Sequence, residues 1–218
     1  MHKEVKHIIW DWNGTLLNDV WLCLECINQL LEQRSLPLLT LSSYHKIFAF
    51  PVRKYYEQAG FDFRTEPFEI PARQFIDLYN ARNKECSLNN NVLNILKHFH
   101  QLGIRQYILS ASESWVLEEM MDYHLLNPYL NSVYGLDNHY ADGKTGLGKQ
   151  MIKDLDISIE STIMVGDTCH DQEVAQQLGI SAILFTGGHY PKNRLKSCNT
   201  TMIDNLSELP SVIQSLKT

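Results

Sequence analysis

Apolar residues along the chain follow two periods, one typical of β-strands and one typical of helices. The apolar run from His7 to Trp10 favours a strand, and it is followed by Asp11 and then by the turn-forming pair Asn13-Gly14. From Val20 to Arg34 the apolar residues recur at helical spacing. The pattern therefore predicts a first strand with Asp11 at its carboxyl end, followed by a long helix.

The next part of the sequence lacks a convincing strand. Three further helices are predicted there from the apolar spacing and from prolines and glycines at their ends, at about 42–50, 52–59 and 72–85. Ser42 or Ser43 is a plausible N-cap for the first of them. This is more helix than one ordinary crossover between strands needs. We therefore predict a small helical domain at 18–87, inserted into a larger domain made of 1–17 and 88–218.

Strands and helices alternate regularly through the rest of the chain. The predicted strands are 104–110, 132–134, 162–165, 182–185 and 201–203. The predicted helices are 92–102, a segment capped by Ser112 or Ser114, 149–155 and 172–178, with a polar loop at 137–148. Such alternation specifies α/β architecture, a doubly wound and mainly parallel Rossmann-like sheet with helices on both faces.

Composition narrows the classes of function. The 218 residues are 44% apolar and 20% charged, as in ordinary globular proteins. The formal charge is −6 and no basic tract is present, which argues against nucleic acid as a partner. No apolar run approaches the roughly 20 residues that cross a bilayer, and the first strand begins too early to leave room for a signal peptide. We therefore expect a cytoplasmic protein without a membrane partner, and the sequence indicates no oligomeric state.

The cysteines point the same way. There are five, an odd number with no framework spacing, which fits a reducing compartment. Cys23 and Cys26 form a C-x-x-C pattern, but they lie in a predicted amphipathic helix without a second Cys or His pair. Their spacing puts both thiols on one helix face, so we expect core packing rather than metal binding or redox chemistry.

Polar side chains that could bind a metal ion or a phosphate lie at the ends of four of the predicted strands or shortly after them. They are Asp11, Ser110, a lysine of the segment 142–149, and Asp167 with Asp171. In a parallel sheet the carboxyl ends share one edge, so these groups are expected to be neighbours. Two carboxylates suit Mg²⁺, which leaves its other positions to water and phosphate, while lysine and a serine before a helix suit phosphate oxygens. The combination predicts phosphoryl chemistry.

These motifs resemble, in order, the four signatures of the haloacid dehalogenase superfamily. The first is Asp11-Trp-Asn-Gly-Thr-Leu16, the second is Ser110, the third is the lysine, and the fourth is Gly166-Asp-Thr-Cys-His-Asp171. The helical insertion after the first motif is similar to the C1-type cap of the phosphoglycolate phosphatase and β-phosphoglucomutase branch. The resemblance covers nearly the whole chain and implies a phosphatase that acts on a small phosphorylated metabolite.

The resemblance also implies roles for the metal-site residues. Asp11 would be the nucleophile, forming an aspartyl phosphate, and also a ligand of Mg²⁺. Asn13 would give its backbone carbonyl to the metal. Asp167 would bind the metal, with Asp171 as a direct or outer partner. An alternative for Asp171 is a purely structural role, as a favourable charge at a helix N-terminus.

Further roles concern the phosphate. Ser110 would bind it, although the residue could simply cap a helix. Lys144 is the preferred candidate for the motif lysine because of its spacing from Asp167, and Lys149 stays open. Gly14, Thr15 and Ala111 belong to the same motifs and are expected at the substrate.

Asn13 departs from the family pattern. Most phosphatases of this superfamily have a second aspartate there, which protonates the leaving group and then activates water. An amide cannot do this, and general acid–base catalysis is typically worth about 10²–10⁴-fold. We expect slow hydrolysis, fastest for substrates whose leaving group needs little protonation. Three interpretations stay open: a native enzyme with another acid such as His170 or water, an engineered trap, and a weakened relative that binds phosphorylated ligands.

A dehalogenase is a further alternative. Dehalogenases of the superfamily usually carry an aromatic residue at the position of Asn13 and work without metal, so the metal-type residues Asp167 and Asp171 argue against this reading. The resemblance places substrate recognition in the cap and its hinges, where the candidates are Arg53, Lys54 and Tyr55 just after Pro51, and Trp21 near the first hinge. Arg53 is a candidate clamp for an anionic substrate group, and the alternative is a solvated helix charge.

Overall fold

The computed structural model describes residues 4–136 and 143–215. Part of the predicted polar loop, 137–142, lies outside the described residues. The described helices run over Val20–Gln33 (α1), Leu41–Ile47 (α2), Val52–Ala59 (α3), Glu69–Arg82 (α4), Val92–Gln101 (α5), Ser114–Tyr123 (α6), Gly143–Asp154 (α7), Cys169–Leu178 (α8), Lys192–Leu195 (α9) and Leu209–Ser215 (α10). No described helix has both the length and the apolar character that crossing a membrane requires.

The strands form one parallel sheet. They run over His7–Trp10 (β1), Arg105–Glu113 (β2), Ser132–Leu136 (β3), Thr162–Gly166 (β4), Ser181–Phe185 (β5) and Thr201–Ile203 (β6). Their order is β3-β2-β1-β4-β5-β6, and every neighbouring pair is parallel. The predicted doubly wound α/β fold is therefore confirmed. The strand order reverses between β1 and β4, and ligands of such sheets bind beside the carboxyl ends of the strands at that point.

The chain divides into two compact units. One is Met1–Leu17 with Leu88–Thr218, called here the sheet unit, and the other is Asn18–Ser87, called here the helical unit. The helical unit contains α1 to α4 and, within it, the described residues form no strand. Its role as a cap stays a prediction.

The buried centre of the sheet unit is β1. Ile8, Ile9 and Trp10 have no exposed surface, because neighbouring strands flank β1 and helices cover the sheet. The Trp10 indole N–H donates to Gln106 Oε1 at 3.2 Å, which satisfies the polar edge of the buried ring. Burial of both faces explains why the sequence of β1 is continuously apolar instead of alternating.

Aromatic residues fill the helical unit. Tyr44, Tyr55 and Tyr56 are buried and in ring contact with one another or with neighbouring aromatics. The N-cap of α2 is Thr40, whose hydroxyl accepts a hydrogen bond from Ser43 N, so the prediction of Ser42 or Ser43 as the N-cap is wrong. Ser43 instead occupies the third helical position and completes the capping box. Gly60 ends α3 in the left-handed conformation, as its sequence position predicts.

Several element boundaries in the sheet unit differ from the predictions, and two of them, at the end of β2 and the start of α7, concern the site. Strand β2 continues to Glu113, because β3 pairs with it as far as Leu136, so α6 begins at Ser114 without a side-chain cap. Helix α7 begins at Gly143 instead of Lys149. The glycines in this segment suggested a loop, but Gly148 is a helix residue. It packs so closely against Leu109 and Leu178 that a Cβ at this position would be in tight contact with both side chains.

The cysteines also differ from expectation. Cys169, the first residue of α8, forms a disulfide with Cys198, which ends a short 3₁₀ helix. A pair 29 residues apart with no framework pattern gives no signal in the sequence. Cys23, Cys26 and Cys86 are free and buried, which confirms core packing for the C-x-x-C pair.

Candidate active site

Two aspartates follow adjacent central strands of the sheet. Asp11 comes directly after β1 and its backbone N–H donates to Val165 O in β4 at 2.8 Å. Asp167 comes directly after β4. The pairing of β1 with β4 therefore brings these side chains to the same edge, where Asp171 joins them from α8. One carboxylate oxygen of each aspartate lies within 4.8 Å of those of the other two, and all three side chains are buried.

A buried lysine links two of these carboxylates. Lys144, in the first turn of α7, donates to Asp11 Oδ1 and, at 2.5 Å, to Asp171 Oδ1. Burial alone would lower the pKa of Lys144, but the charges of Asp11 and Asp171 outweigh it and raise that pKa, so the ammonium stays charged. Lys149 is exposed on the same helix. Of the two candidate lysines, Lys144 is the one that the structure brings to the aspartates.

The N-terminus of α8 holds Asp171 in place. Thr168 is the N-cap, and Asp171 Oδ2 accepts hydrogen bonds from Thr168 N at 3.0 Å, Thr168 Oγ1 at 2.7 Å and Asp167 N at 3.2 Å. The residue is thus both a helix-capping partner and a member of the acidic cluster. Burial acts to raise the pKa of Asp171, but Lys144 and the hydrogen bonds of Thr168 outweigh it, so the pKa is lowered.

Residues of the first motif pack against Asp167. Thr15 Oγ1 lies 3.0 Å from Asp167 Oδ1 and 3.3 Å from Asp11 Oδ2, and the Thr15 side chain is fully buried. Gly14 has a φ of 74°, and a Cβ at this position would overlap the carboxylate of Asp167. Glycine is therefore required by both the turn and the close approach. In this structure Gly14 and Thr15 support the aspartates.

A histidine that the sequence analysis overlooked also belongs to this site. His189 is buried, and its backbone N–H donates to Asp167 Oδ2 at 2.6 Å. Gly188 allows this approach, because a Cβ there would overlap Asp167. The available signal was the sequence Gly187-Gly188-His189 shortly after β5, whose carboxyl end lies at the same edge as those of β1 and β4.

The acidic cluster carries more negative than positive charge. Burial raises the pKa of Asp11 well above its ordinary value, an effect that Lys144 opposes and Asp171 and Asp167 reinforce. Burial also raises the pKa of Asp167 to about 6, against the lowering effect of His189. Carboxylate oxygens are suitable ligands for a divalent cation. One lysine neutralises only part of the charge of three buried carboxylates, and a divalent cation would neutralise the rest. Asp11, Asp167 and Asp171 therefore fit a metal site.

Ser110 lies within β2, three residues before its end, and Asn13 lies three residues after the end of β1. The hydroxyl oxygen of Ser110, which is buried, accepts a hydrogen bond from Ser112 N at 3.1 Å, so its own hydrogen is left for donation. Asn13 Oδ1 accepts from Ser112 Oγ at 2.8 Å. Ser112 therefore does not cap α6 as predicted. Ala111, between the two serines, is exposed.

Two other candidates have partners of their own. His170 Nδ1 lies 3.5 Å from Glu173 Oε2, one turn along α8. Arg53 belongs to the helical unit, where it is exposed, lies 3.4 Å from Glu57 and has its guanidinium 5.1 Å from the ring centre of Phe63. The acidic cluster itself is formed entirely by residues of the sheet unit.

Comparison with known proteins adds a family assignment. A family model described as haloacid dehalogenase-like hydrolase matches residues 8–185. Comparison with curated proteins gave no match. A predicted phosphatase from Clostridium acetobutylicum superposes with a TM-score of 0.84 at 18% identity, covering 98% of this chain and 100% of that chain.

Two further solved structures share the fold. A predicted phosphoglycolate phosphatase from Haemophilus somnus has a TM-score of 0.78 at 15% identity, with 97% of this chain and 99% of that one covered. CbbY from Rhodobacter sphaeroides, solved in complex with phosphate, has a TM-score of 0.73 at 14% identity, with 94% and 96% covered. At these identities the likeness shows the fold.

The fold is a doubly wound parallel sheet, and a buried cluster of three aspartates and a lysine lies beside the carboxyl ends of its central strands. The family model covers most of the chain and includes Asp11, Lys144, Asp167 and Asp171. The chain belongs to the haloacid dehalogenase-like hydrolases.

Proposed function

We propose that this hydrolase is a magnesium-dependent phosphatase, which acts on a small phosphorylated metabolite through an aspartyl-phosphate intermediate. The observation that supports it most is the contact of Lys144 with Asp11 inside a buried acidic cluster. A carboxylate held beside an ammonium is oriented for attack on phosphorus, and the ammonium offsets the negative charge of the phosphoryl oxygens that would otherwise repel the carboxylate. The structural likeness to predicted phosphatases supports the phosphoglycolate phosphatase branch.

The roles of the residues follow from this proposal. Asp11 attacks phosphorus, the bond to the leaving group breaks, and water later releases phosphate and restores the carboxylate. Ser110 donates its hydroxyl hydrogen to a phosphate oxygen, and Lys144 neutralises charge on Asp11 and on the phosphoryl group. Mg²⁺, held by Asp11, Asp167, Asp171 and the Asn13 carbonyl, would supply charge neutralisation for the phosphate.

The helical unit is proposed as a C1-type cap that reads the part of the substrate beyond the phosphate. Arg53 is exposed and carries a positive charge, which supports a role for it in binding an anionic substrate group. A cytoplasmic location stays a prediction from the composition. The Cys169–Cys198 disulfide counts against it, since disulfides are rare in that compartment.

A second candidate is a relative that binds phosphorylated ligands with little turnover. The observation that favours it is Asn13, whose amide cannot act as the acid or the base. A dehalogenase is disfavoured because the buried cluster of Asp11, Asp167 and Asp171 suits a metal.

Steady-state hydrolysis of p-nitrophenyl phosphate tests the proposal. The parent protein and Asp11→Asn are assayed with magnesium and with a chelator, and Asn13→Asp is assayed alongside them. We expect turnover by the parent only with magnesium, and none by Asp11→Asn. If Asn13→Asp alone turns over, the ligand-binding candidate is favoured; if none of the three proteins turns over, the phosphatase proposal is wrong.

A further inference from the structure

A groove in the sheet unit runs between α8 and the edge of the sheet formed by β5 and β6. Its volume is about 720 Å³, in the range of about 300–1,000 Å³ that small-molecule sites occupy. Its walls include Gln172 and Gln176 of α8, Lys196 and Asn199 at the two ends of a short 3₁₀ turn, and the amino-terminal parts of β5 and β6. These residues are distinct from those of the acidic cluster, so the groove is a second place that can receive a small molecule.

The Cys169–Cys198 disulfide joins the two walls of this groove. Cys169 is three residues before Gln172 and seven before Gln176, so the three side chains share one face of α8. On the other wall, Cys198 lies between Lys196 and Asn199 in the sequence. The groove is therefore lined by the sequence neighbours of both sulfurs.

The disulfide is reachable from solvent. Cys169 and Cys198 are both half-buried, whereas the three thiols of the helical unit are buried. Exchange between a thiol and a disulfide requires access of the thiol to one of the two sulfurs. A small thiol can therefore reach this disulfide in the folded protein.

The two sulfurs have different surroundings. Cys169 Sγ lies 4.0 Å from Arg194 O and 3.8 Å from Ser197 Oγ, so a thiol released at Cys169 has hydrogen-bond acceptors already in place. Over residues 4–136 and 143–215, the structure gives Cys198 Sγ no such partner. Opening of the disulfide is thus best accommodated with a thiol at Cys169 and the new bond at Cys198.

The chemistry of the groove suits a peptide that carries a carboxylate. Gln172, Gln176 and Asn199 each offer an amide that can donate to and accept from a peptide group, and Lys196 offers a positive charge for a carboxylate. In the described part of the chain these four side chains form no hydrogen bond or ion pair with other residues. Their donors and acceptors remain for a ligand.

We propose that this groove binds a small peptide thiol with carboxylate groups, which attacks the disulfide at Cys198 and is retained there as a mixed disulfide. Cys198 is thus a site of reversible S-thiolation, and the groove selects the thiol. The site is separate from the acidic cluster and does not depend on the proposed phosphatase activity.

The exchange step needs no external oxidant or reductant beyond the thiol itself. The incoming sulfur forms a bond to Cys198 Sγ, and the bond from Cys198 Sγ to Cys169 Sγ breaks. The incoming thiol loses its proton to water and Cys169 takes one up, so the incoming sulfur is oxidised and that of Cys169 is reduced. Attack of Cys169 on the mixed disulfide reverses the step.

Rates of exchange with three thiols test the site. The oxidised protein is incubated with glutathione, glutathione ethyl ester or 2-mercaptoethanol, exchange is stopped with acid, remaining thiols are alkylated, and tryptic peptides are analysed by mass spectrometry. At early times we expect the mass of one glutathione on the peptide that contains Cys198 and an alkylated thiol at Cys169. The rate should saturate with glutathione as the groove fills, and rise in proportion to the concentration of 2-mercaptoethanol.

Variants of the groove residues locate the binding contacts. Lys196→Gln should remove an advantage of about 3-fold that glutathione has over its ethyl ester, the usual size of an exposed ion pair, and Lys153→Gln on α7 is its control. Gln176→Ala should lower the rate with glutathione about 3-fold through the loss of a hydrogen bond. Gln177→Ala, at the next and equally exposed residue of α8, should not. All four variants should react with 2-mercaptoethanol like the parent.

Several results would overturn the proposal. Glutathione on Cys169, or full reduction without a mixed disulfide at Cys198 at any time, would contradict the choice of sulfur. A rate proportional to glutathione concentration, or equal behaviour of Gln176→Ala and Gln177→Ala, would show that the groove does not bind the thiol. Reaction with glutathione only after unfolding would make the disulfide a purely structural crosslink. Because no readout involves hydrolysis, these results leave the phosphatase proposal to its own test.

Discussion

At the scale of single residues, the site depends on Lys144. This side chain is almost completely buried, and its ammonium contacts two carboxylates from separate parts of the chain, Asp11 and Asp171. Removing one partner from a buried ionic group is far more costly than losing a surface ion pair, because the remaining charges have neither water nor a counter-ion. The cation is therefore expected to support the fold of the site as well as its chemistry.

Substituting Lys144 by methionine tests both contributions. We expect Lys144→Met to lower the free energy of unfolding by about 3–5 kcal/mol and to lower kcat at least about 100-fold. Lys149→Met, at an exposed position of the same helix, is the matched control and should change neither. Urea unfolding with a chelator present, together with hydrolysis of p-nitrophenyl phosphate, measures the two effects. Equal behaviour of the two variants would show that Lys144 has no special part in the site.

The sequence allowed some of these residues to be predicted and not others. Asp11 and Asp167 follow apolar strands, and a parallel sheet places the carboxyl ends of its strands together, so their meeting could be expected. The hydrogen bond between Asn13 and Ser112 joins the turn after β1 to the last part of β2, 99 residues apart in the sequence, and it depends on β2 extending past Ser110. No local pattern encodes such a contact. His189 was overlooked because a Gly-Gly-His turn usually suggests only a loop.

At the scale of secondary-structure elements, the disulfide ties the first residue of α8 to the 3₁₀ helix Lys196–Cys198. Helix α8 carries Asp171 in its first turn, so this crosslink lies on an element that builds the site. Cysteine count and spacing did not predict it, because both partners are brought together only by the fold.

Alkylation under denaturing conditions tests the crosslink. Without a reductant we expect three thiols to react, those of Cys23, Cys26 and Cys86, and after reduction all five. The Cys169→Ser/Cys198→Ser variant should lose about 3–4 kcal/mol of unfolding free energy, because a closed loop of this length restricts the unfolded chain. Five reactive thiols in the protein before reduction would contradict the assignment.

At the scale of the whole molecule, stability should depend on the protonation of two histidines, the buried His7 and the half-buried His124. Burial, together with the charges of Arg105 and Lys6, lowers the pKa of His7 at the start of β1, and burial also lowers the pKa of His124. When the folded pKa is below the unfolded pKa, the unfolded chain binds more protons in the interval between them. The stabilising contribution of such a group is therefore present above its unfolded pKa, about 6.5, and is lost as the pH falls through the folded pKa.

The difference between the parent and His7→Gln isolates this effect from other titrating groups. We expect the parent to lose more unfolding free energy than His7→Gln as the pH is lowered from about 7 to 5. His98→Gln, at an exposed histidine of α5, should follow the parent. Parallel curves for the parent and His7→Gln in urea unfolding at several pH values would mean that His7 takes up its proton equally in both states.

The fold of the whole molecule was more predictable than its details. The apolar runs of β1 and β4 are continuous, as expected for strands whose two faces are both buried. The segments between the strands are amphipathic, as expected for helices that cover the sheet. Together these two patterns predict a parallel α/β sheet. The start of α7 was mispredicted, because glycines at 143, 146 and 148 have the composition of a loop, whereas Gly148 lies in the helix and packs closely against Leu109 and Leu178. Glycine composition alone does not distinguish these two uses.

The central claim is that Asp11 accepts the phosphoryl group, and trapping the intermediate tests it most directly. Because Asn13 cannot activate water as a base, the aspartyl phosphate should accumulate when the protein turns over acetyl phosphate with magnesium. After rapid acid quenching and digestion, we expect the peptide containing Asp11 to gain the mass of one phosphoryl group, and Asp11→Asn to show no such gain. Turnover by the parent with the phosphoryl group on another residue, or undiminished turnover by Asp11→Asn, would contradict the account.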